Sequence, residues 1–425
     1  MSITFLKKKF PQTQHDTHDS FRVLMWLERM KMVIKLTLIG LITFTAALAL
    51  SLWWFWDEPL ASPISSLTIF RFLAEPRLGH SSNKVVYGFL PYWNLKKVTL
   101  QPELTHLGYF SLTIGADGSL LTRENDYTEP GFAGLQSDEL LDFTSQVQEK
   151  NKSVEIVVSQ FNGDDIVSFL SSPTAQTKFM ESLDGMILAY PVNGINLDIE
   201  YAGTNSVSLQ DNLASFIQAL RNHLNARYDS VQLSIDMYAG ASNDQQIWNI
   251  EEIEPNVDYI VVMAYDFHRR SSPQAGPVAP LFGGKDLWDS DINQHLQEYV
   301  TKVPANKILL GIPFYGYEWQ TTSREAQSHT FPDTGSTAQI DRVKELLAQK
   351  DALQVQEGWN EDALSPYLSY IKDGETYVLY YENSRSISYK LDYVNQLDLG
   401  GIAIWALGYE DDSRELWDVI NRKIQ

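Results

Sequence analysis

Asn193-Gly194-Ile195-Asn196-Leu197-Asp198-Ile199-Glu200-Tyr201 decides how the chain is read. Side chains on a strand alternate between faces. Asn196, Asp198 and Glu200 therefore share one face, and Ile195, Leu197 and Ile199 the other. The apolar set can pack beneath helices, which leaves the polar set pointing into an enclosed space. Two carboxylates held side by side repel, and the pKa of one must rise. Proteins tolerate that mainly where an acid is needed at neutral pH. The alternative, a solvated loop of acids, fits poorly, because an apolar strand is a costly place for exposed charge.

Seven further β-branched runs flank this one: Lys84–Phe89, His106–Leu112, Val154–Ser159, Val231–Met237, Tyr259–Met263, Ile308–Pro313 and Gly401–Trp405. Helix-like stretches separate them, such as Leu209–Leu224 with Leu213, Phe216, Ile217, Leu220 and Leu224 at helical spacing. Alternation of this kind implies parallel α/β architecture, and eight strands close a (β/α)8 TIM barrel. Chemistry in such barrels sits at the C-terminal strand ends. The longest gap, between the last two runs, contains a helical stretch near Gln339–Gln349 and a strand-like TYVLYYEN. It reads as a small α+β insertion at about 320–382.

The chain has 425 residues, 44% hydrophobic and 20% charged, and no cysteine. Disulfides, zinc–cysteine sites and thiol catalysis are excluded. Residues 1–56 hold seven basic and three acidic side chains, a balance of +4, while the remainder holds 26 basic and 51 acidic, a balance of −25. So acidic a body repels phosphate polymers, and nucleic acid is not expected as a partner.

Leu36 to Trp56 is a run of 21 residues without a charge. A helix of that length reaches about 31 Å and spans a bilayer. Lys31 and Lys35 precede it; Asp57 and Glu58 follow it; Trp53, Trp54 and Trp56 cluster at its far end. The charge asymmetry places residues 1–35 in the cytoplasm and the rest on the exoplasmic side. A cleaved signal peptide has a shorter leader and a shorter apolar run. Residues 57–83, with three prolines and several serines, read as a linker. The expected organisation is a cytoplasmic segment (1–35), a transmembrane helix (36–56), a linker (57–83) and a barrel (84–425).

The stretch N-G-I-N-L-D-I-E resembles the D-G-x-D-x-D-x-E signature of the family 18 glycoside hydrolases, the chitinase-like TIM barrels. Met263-Ala264-Tyr265-Asp266 is similar to the M-x-Y-D motif that ends their sixth strand. Gly401–Trp405 (GIAIW) resembles their last strand with its Trp, and Tyr87–Trp93 (YGFLPYW) their first. Glu382–Ser386 (ENSRS) and Gly276–Leu281 (GPVAPL) resemble the branch that contains bacterial spore and peptidoglycan hydrolases. The likeness spans about 84–425. It departs at Asn193 and Asn196, where the signature has acids, and at Ser159–Gly163 (SQFNG), which only partly keeps an S-x-G-G motif. There is also no LysM-like wall-binding repeat.

The resemblance implies a retaining, substrate-assisted reaction, outside the usual two-carboxylate scheme. Glu200 would be the general acid. Asp198 would orient the substrate's acetamide N–H, and Tyr265 would hydrogen-bond its oxygen. Asp266 would support that end of the site, and Trp405 would floor it. Met263, Tyr315, Tyr87 and Trp93 are further candidate substrate-binding residues. Tyr92, Trp319 and Trp359 are candidates to line a sugar cleft, and His268 is read as structural or as part of the rim. The substrate would contain N-acetylglucosamine in a polysaccharide, peptidoglycan or chitin-like. No metal or cofactor is required, and a monomer is expected. Asn196 cannot take up a proton, so Asp198 is expected to stay ionised through much of the cycle. Two other readings use the same barrel: a carbohydrate-binding protein without activity, and a partner-binding scaffold. The retained Asp198, Glu200 and Tyr265 favour a hydrolase.

Overall fold

The computed structural model describes residues 84–425 except 205, 245 and 425, together with residues 26, 30–32, 34–38, 40, 41 and 43–45. The latter are helical. Most of the apolar run expected to span a membrane, residues 46–56, and the linker at 57–83 lie outside the described residues. Among the described residues no helix is long and apolar enough to cross a membrane.

All eight expected strands form. They are β1 (Val85–Pro91), β2 (His106–Thr113), β3 (Ser153–Gln160), β4 (Gly194–Ile199), β5 (Gln232–Tyr238), β6 (Tyr259–Met263), β7 (Ile308–Pro313) and β8 (Gly401–Trp405). Every neighbouring pair is parallel, and β8 pairs with β1 to close the barrel. Burial on both faces explains the apolar runs: β1, β4 and β7 have no exposed residue. Inward side chains of six strands, Tyr87, Phe110, Val157, Val261, Leu309 and Ala403 among them, fill the barrel as one cluster.

Two glycines make room for polar groups deep in that core. A Cβ on Gly108 would meet the Tyr87 hydroxyl at 2.3 Å, and one on Gly194 would meet the Glu155 side chain at 2.9 Å. The Leu209–Leu224 periodicity belongs to a helix at Val207–Arg227. It is N-capped by Ser206, and it buries Leu213, Phe216, Ile217, Leu220 and Leu224.

The insertion begins at Gly316, a few residues earlier than expected, and is a five-stranded antiparallel sheet. Its strands run in the order 336–338, 316–321, 375–380, 365–372 and 356–360, with a helix at Ile340–Ala348. The early start follows from Gly316, where a Cβ would lie 1.8 Å from the Tyr380 carbonyl oxygen. The chain therefore pairs with the 375–380 strand within three residues of leaving β7.

Candidate active site

The C-terminal ends of the strands surround a cavity of about 390 Å³. That is within the roughly 300–1,000 Å³ usual for small-ligand sites. Asp198 and Glu200 line it from the end of β4, and Met263, Tyr265 and Asp266 line it from the end of β6. Trp405 enters from β8, and Tyr315 and Tyr317 from the start of the insertion. Of the residues singled out in the sequence, Asp198, Glu200, Met263, Tyr265, Asp266, Tyr315 and Trp405 thus converge on one space. The insertion supplies part of its wall.

Asp266 adopts a left-handed backbone conformation with φ 61°. Asp tolerates this better than most residues. The turn brings its Oδ1 to the Tyr315 hydroxyl (2.5 Å) and the Tyr317 hydroxyl (2.9 Å), both of which donate to it. Behind them, Ala275 and Val278 of the GPVAPL region pack against Tyr315, Tyr317 and Trp319.

Aromatic rings form another part of the wall. Trp405 meets Phe110 edge-on at 4.7 Å between centroids, and Phe110 stacks with Phe161 at 6.4 Å. Phe161 is half exposed and lines the cavity. The departure from the S-x-G-G motif now has an account. Ser159 shares a hydrogen bond with Ser111 (2.8 Å), Gln160 donates to the Ile114 carbonyl, and Asn162 caps the next helix. Phe161 is left free to face the cavity.

Several candidates are placed elsewhere. Tyr87 is fully buried in the barrel core, where its hydroxyl donates to Glu155 (3.1 Å); it does not line the cavity. Asn196 is likewise fully buried, below the cavity. Trp93 is exposed and sits edge-on to Phe110 at 6.1 Å, extending the aromatic row outward, with Tyr92 against it. Trp319 is fully buried, donating to the Arg269 carbonyl (3.1 Å), so it is core rather than cleft. Trp359 carries the Arg385 guanidinium 3.9 Å above its ring, away from the cavity. His268 is hydrogen-bonded to the Pro277 carbonyl (2.9 Å), and burial lowers its pKa, as befits a structural neutral imidazole. The ENSRS motif is structural too. Asn383 and Ser386 form a reciprocal cap, and Glu382 pairs with Lys390 at 2.8 Å, both fully buried.

Sequence reasoning missed Asp236, Tyr238, Phe110, Phe161 and Arg269, all lining the cavity. Asp236, near the end of β5, matters most for the electrostatics. It is 3% exposed and accepts a hydrogen bond from Asn196 Nδ2 (2.8 Å). The same Nδ2 donates to Ser234 Oγ (2.9 Å), and Ser234 donates to Glu155 (2.7 Å). A polar ladder thus descends from the cavity to the barrel core.

Burial pushes Asp198 and Asp236 well above the usual carboxylate range. The Asp236 charge, and then Glu200, raise Asp198 further. Burial also raises Glu200, against lowering by the Tyr238 hydrogen bond and the Arg269 charge. Three carboxylates so close cannot all be charged at neutral pH. These shifts run against the expectation that Asp198 stays ionised: Asn196 lacks the second carboxylate, but Asp236 brings one to the cavity from the neighbouring strand. Tyr265 is raised far above the ordinary phenol value by burial and by Asp236, Asp198 and Glu200, so it remains an O–H donor. Among the described residues no group of three or more His, Asp or Glu side chains is arranged to hold a metal ion.

Known proteins share this architecture. YvbX of Bacillus subtilis, an uncharacterized glycosylase, is 28% identical over 271 residues, 62% of this chain and 71% of its own. The Group IV chitinase of Ostrinia furnacalis, also solved with allosamidin bound, superposes with a TM-score of 0.69 at 19% identity, covering 80% of this chain and 98% of that one. The spore cortex-lytic enzyme SleL of Bacillus megaterium gives a TM-score of 0.63 at 19% identity, covering 82% of this chain and 76% of that one. The model of glycosyl hydrolases family 18 matches residues 80–410, and the chain belongs to that family of glycoside hydrolases.

Proposed function

We propose that the protein is a membrane-anchored glycosidase that hydrolyses β-1,4 bonds next to N-acetylglucosamine, in peptidoglycan or a chitin-like glycan, by substrate-assisted retaining catalysis. One observation carries this reading. A carboxyl whose pKa is raised by burial, Glu200, shares a cavity with a buried carboxylate, Asp198, a phenol donor, Tyr265, and a row of aromatic rings. Glu200 protonates the glycosidic oxygen. The 2-acetamido oxygen of the substrate attacks the anomeric carbon as the leaving group departs, forming a cyclic oxazolinium ion. Tyr265 donates to that oxygen before attack. Asp198, which lines the same cavity, accepts the acetamide N–H. Water then adds to the anomeric carbon as its bond to the acetamide oxygen breaks and the acetamide is restored, with the Glu200 carboxylate taking the water's proton. Tyr315 and Tyr317 hold Asp266 in place, and Trp405 floors the reacting sugar.

The membrane part rests on the uncharged 21-residue run at 36–56 and its flanking charges. Such a tether would keep the barrel on the exoplasmic face, beside a wall glycan. The test is turnover of the full chain, in detergent, on peptidoglycan and on chitooligosaccharides. Glu200→Gln should lower turnover by about 10²–10⁴, with N-acetylglucosamine-terminated products from the wild type. Binding of either glycan without cleavage would replace this reading with the carbohydrate-binding one.

A further inference from the structure

Asp236 is the buried carboxylate that the mechanism above leaves unused. It is contributed by β5, whereas the resemblance places all the acids of the signature on β4. Its surroundings come from every neighbouring element. Asn196, Asp198 and Glu200 face it from β4, Glu155 from β3, Tyr87 from β1 and Tyr265 from β6. Ser234 and Tyr238 lie on its own strand, and the nearest cationic influence, Arg269, acts on Glu200.

The hydrogen bonds in this cluster do not close without an added proton. Both hydrogens of Asn196 Nδ2 are committed, one to Ser234 and one to Asp236. Asn196 Oδ1 and Asp198 Oδ1 are both buried acceptors with no donor among the described residues. Buried acceptors without donors are costly. Turning the Asn196 amide over would direct Nδ2 away from Ser234 and Asp236. Its oxygen would then face the Asp236 carboxylate, which would itself need the proton. In either orientation the set made of Asn196, Asp198 and Asp236 has fewer donors than buried acceptors, and a proton on either carboxylate adds a donor.

We propose that Asp236 is the proton-sharing partner of Asp198: the two carboxylates hold one proton between them, which positions Asp198 and sets the protonation of Glu200. The inference rests on the glycosidase reading for its kinetic test and on geometry alone for its spectroscopic one. Asp236 is a positioning residue, acting through Asp198 and Glu200. In this arrangement the carboxylate pair spans two strands, and the Asn196 amide donates to its Asp236 member.

The experiment measures kcat/KM against pH for the full chain and follows the Asp carboxyl signals by 13C NMR. In the wild type the pair carries one negative charge spread over both carboxylates; in Asp236→Asn all of it sits on Asp198, beside Glu200, so Glu200 keeps its proton to higher pH. The alkaline limb should move toward alkaline pH, by up to about one pH unit. Combining Asn196→Asp with Asp236→Asn returns the carboxylate to the cluster and should bring the limb back. In the NMR titration, Asp198 and Asp236 should titrate together in two separated steps in the wild type, and Asp198 in a single step in Asp236→Asn. An alkaline limb that stays in place while kcat/KM falls would reduce Asp236 to a packing role and overturn the proposal. A wild type that cleaves neither glycan would overturn the glycosidase reading instead. The titration would still decide here, because Asp198 titrating identically with and without Asp236 defeats the inference.

Discussion

Arg269 and Glu155 carry opposite lessons about single charges. Arg269 is exposed at the cavity rim and lowers the pKa of Glu200. Arg269→Gln should therefore let Glu200 keep its proton to higher pH. The alkaline limb of kcat/KM should rise, by a few tenths of a pH unit because the charge is solvent-screened. The direction is that expected of Asp236→Asn, and the shift is smaller. Glu155 lies in the barrel core, fully buried, with its pKa raised from 4.5 to about 7, chiefly by burial. Its folded pKa exceeds its unfolded one, so the folded state binds the extra proton between those values. Stability is lost as pH climbs through that window. Glu155→Gln removes the titration. Its stability relative to wild type should improve by about 3 kcal/mol between pH 4.5 and pH 8, read from urea unfolding at each pH. The sequence showed Asp198 and Glu200 because two acids repeat at strand spacing. Asp236 also had a signal, a lone acid between Ile235 and Met237 on the inward face of an apolar strand, but a single acid forms no pattern. Phe110 and Phe161 had none, since nothing in an apolar residue's type says whether it faces core or cavity.

At the scale of elements, the helix at Ser384–Gln396 shows how a family motif can belong to folding and not to chemistry. Its cap, Asn383 with Ser386, starts the helix one residue after Glu382, and Lys390 reaches back to both Glu382 oxygens at 2.9 and 2.8 Å. Burial raises the Glu382 pKa even against the lysine. Lys390→Met would leave a buried carboxylate with no cation and should cost about 3–5 kcal/mol in urea unfolding. The loss should shrink as pH falls, because Glu382 can then take a proton. Glu382→Leu combined with Lys390→Met should recover most of it. Capping residues and an i, i+8 ion pair leave a local trace in sequence, but burial does not, so the motif could be recognised and its role could not. The insertion has a similar history. Its helix and the TYVLYYEN strand were legible from their periods. Its first strand was not, because Gly316–Thr321 follows β7 after two residues with no turn signal between them.

For the whole molecule, the barrel was the most legible feature, because eight runs buried on both faces must pair in parallel and close. Tyr87 shows the limit of that legibility: its place on the first strand could not say whether it stands in the core or at the mouth. Charge also separates the chain into parts, with +4 in the first 56 residues and −25 in the rest. A body this acidic is repelled by anionic lipid and by acidic wall polymer alike, so it would not adsorb to either unaided. Residence at an envelope then depends on the apolar run at 36–56. The full chain should float with lipid vesicles and resist extraction at high salt and alkaline pH, yielding only to detergent. Leu48→Arg combined with Leu50→Arg puts two charges at mid-span, each costing about 2.5–3.5 kcal/mol of insertion. That variant should move to the soluble fraction while keeping its turnover on soluble chitooligosaccharides. Its rate on intact cell walls should fall, since only there does the tether raise the local concentration of substrate. Equal wall digestion by the two forms would mean that the acidic barrel reaches its glycan without the tether.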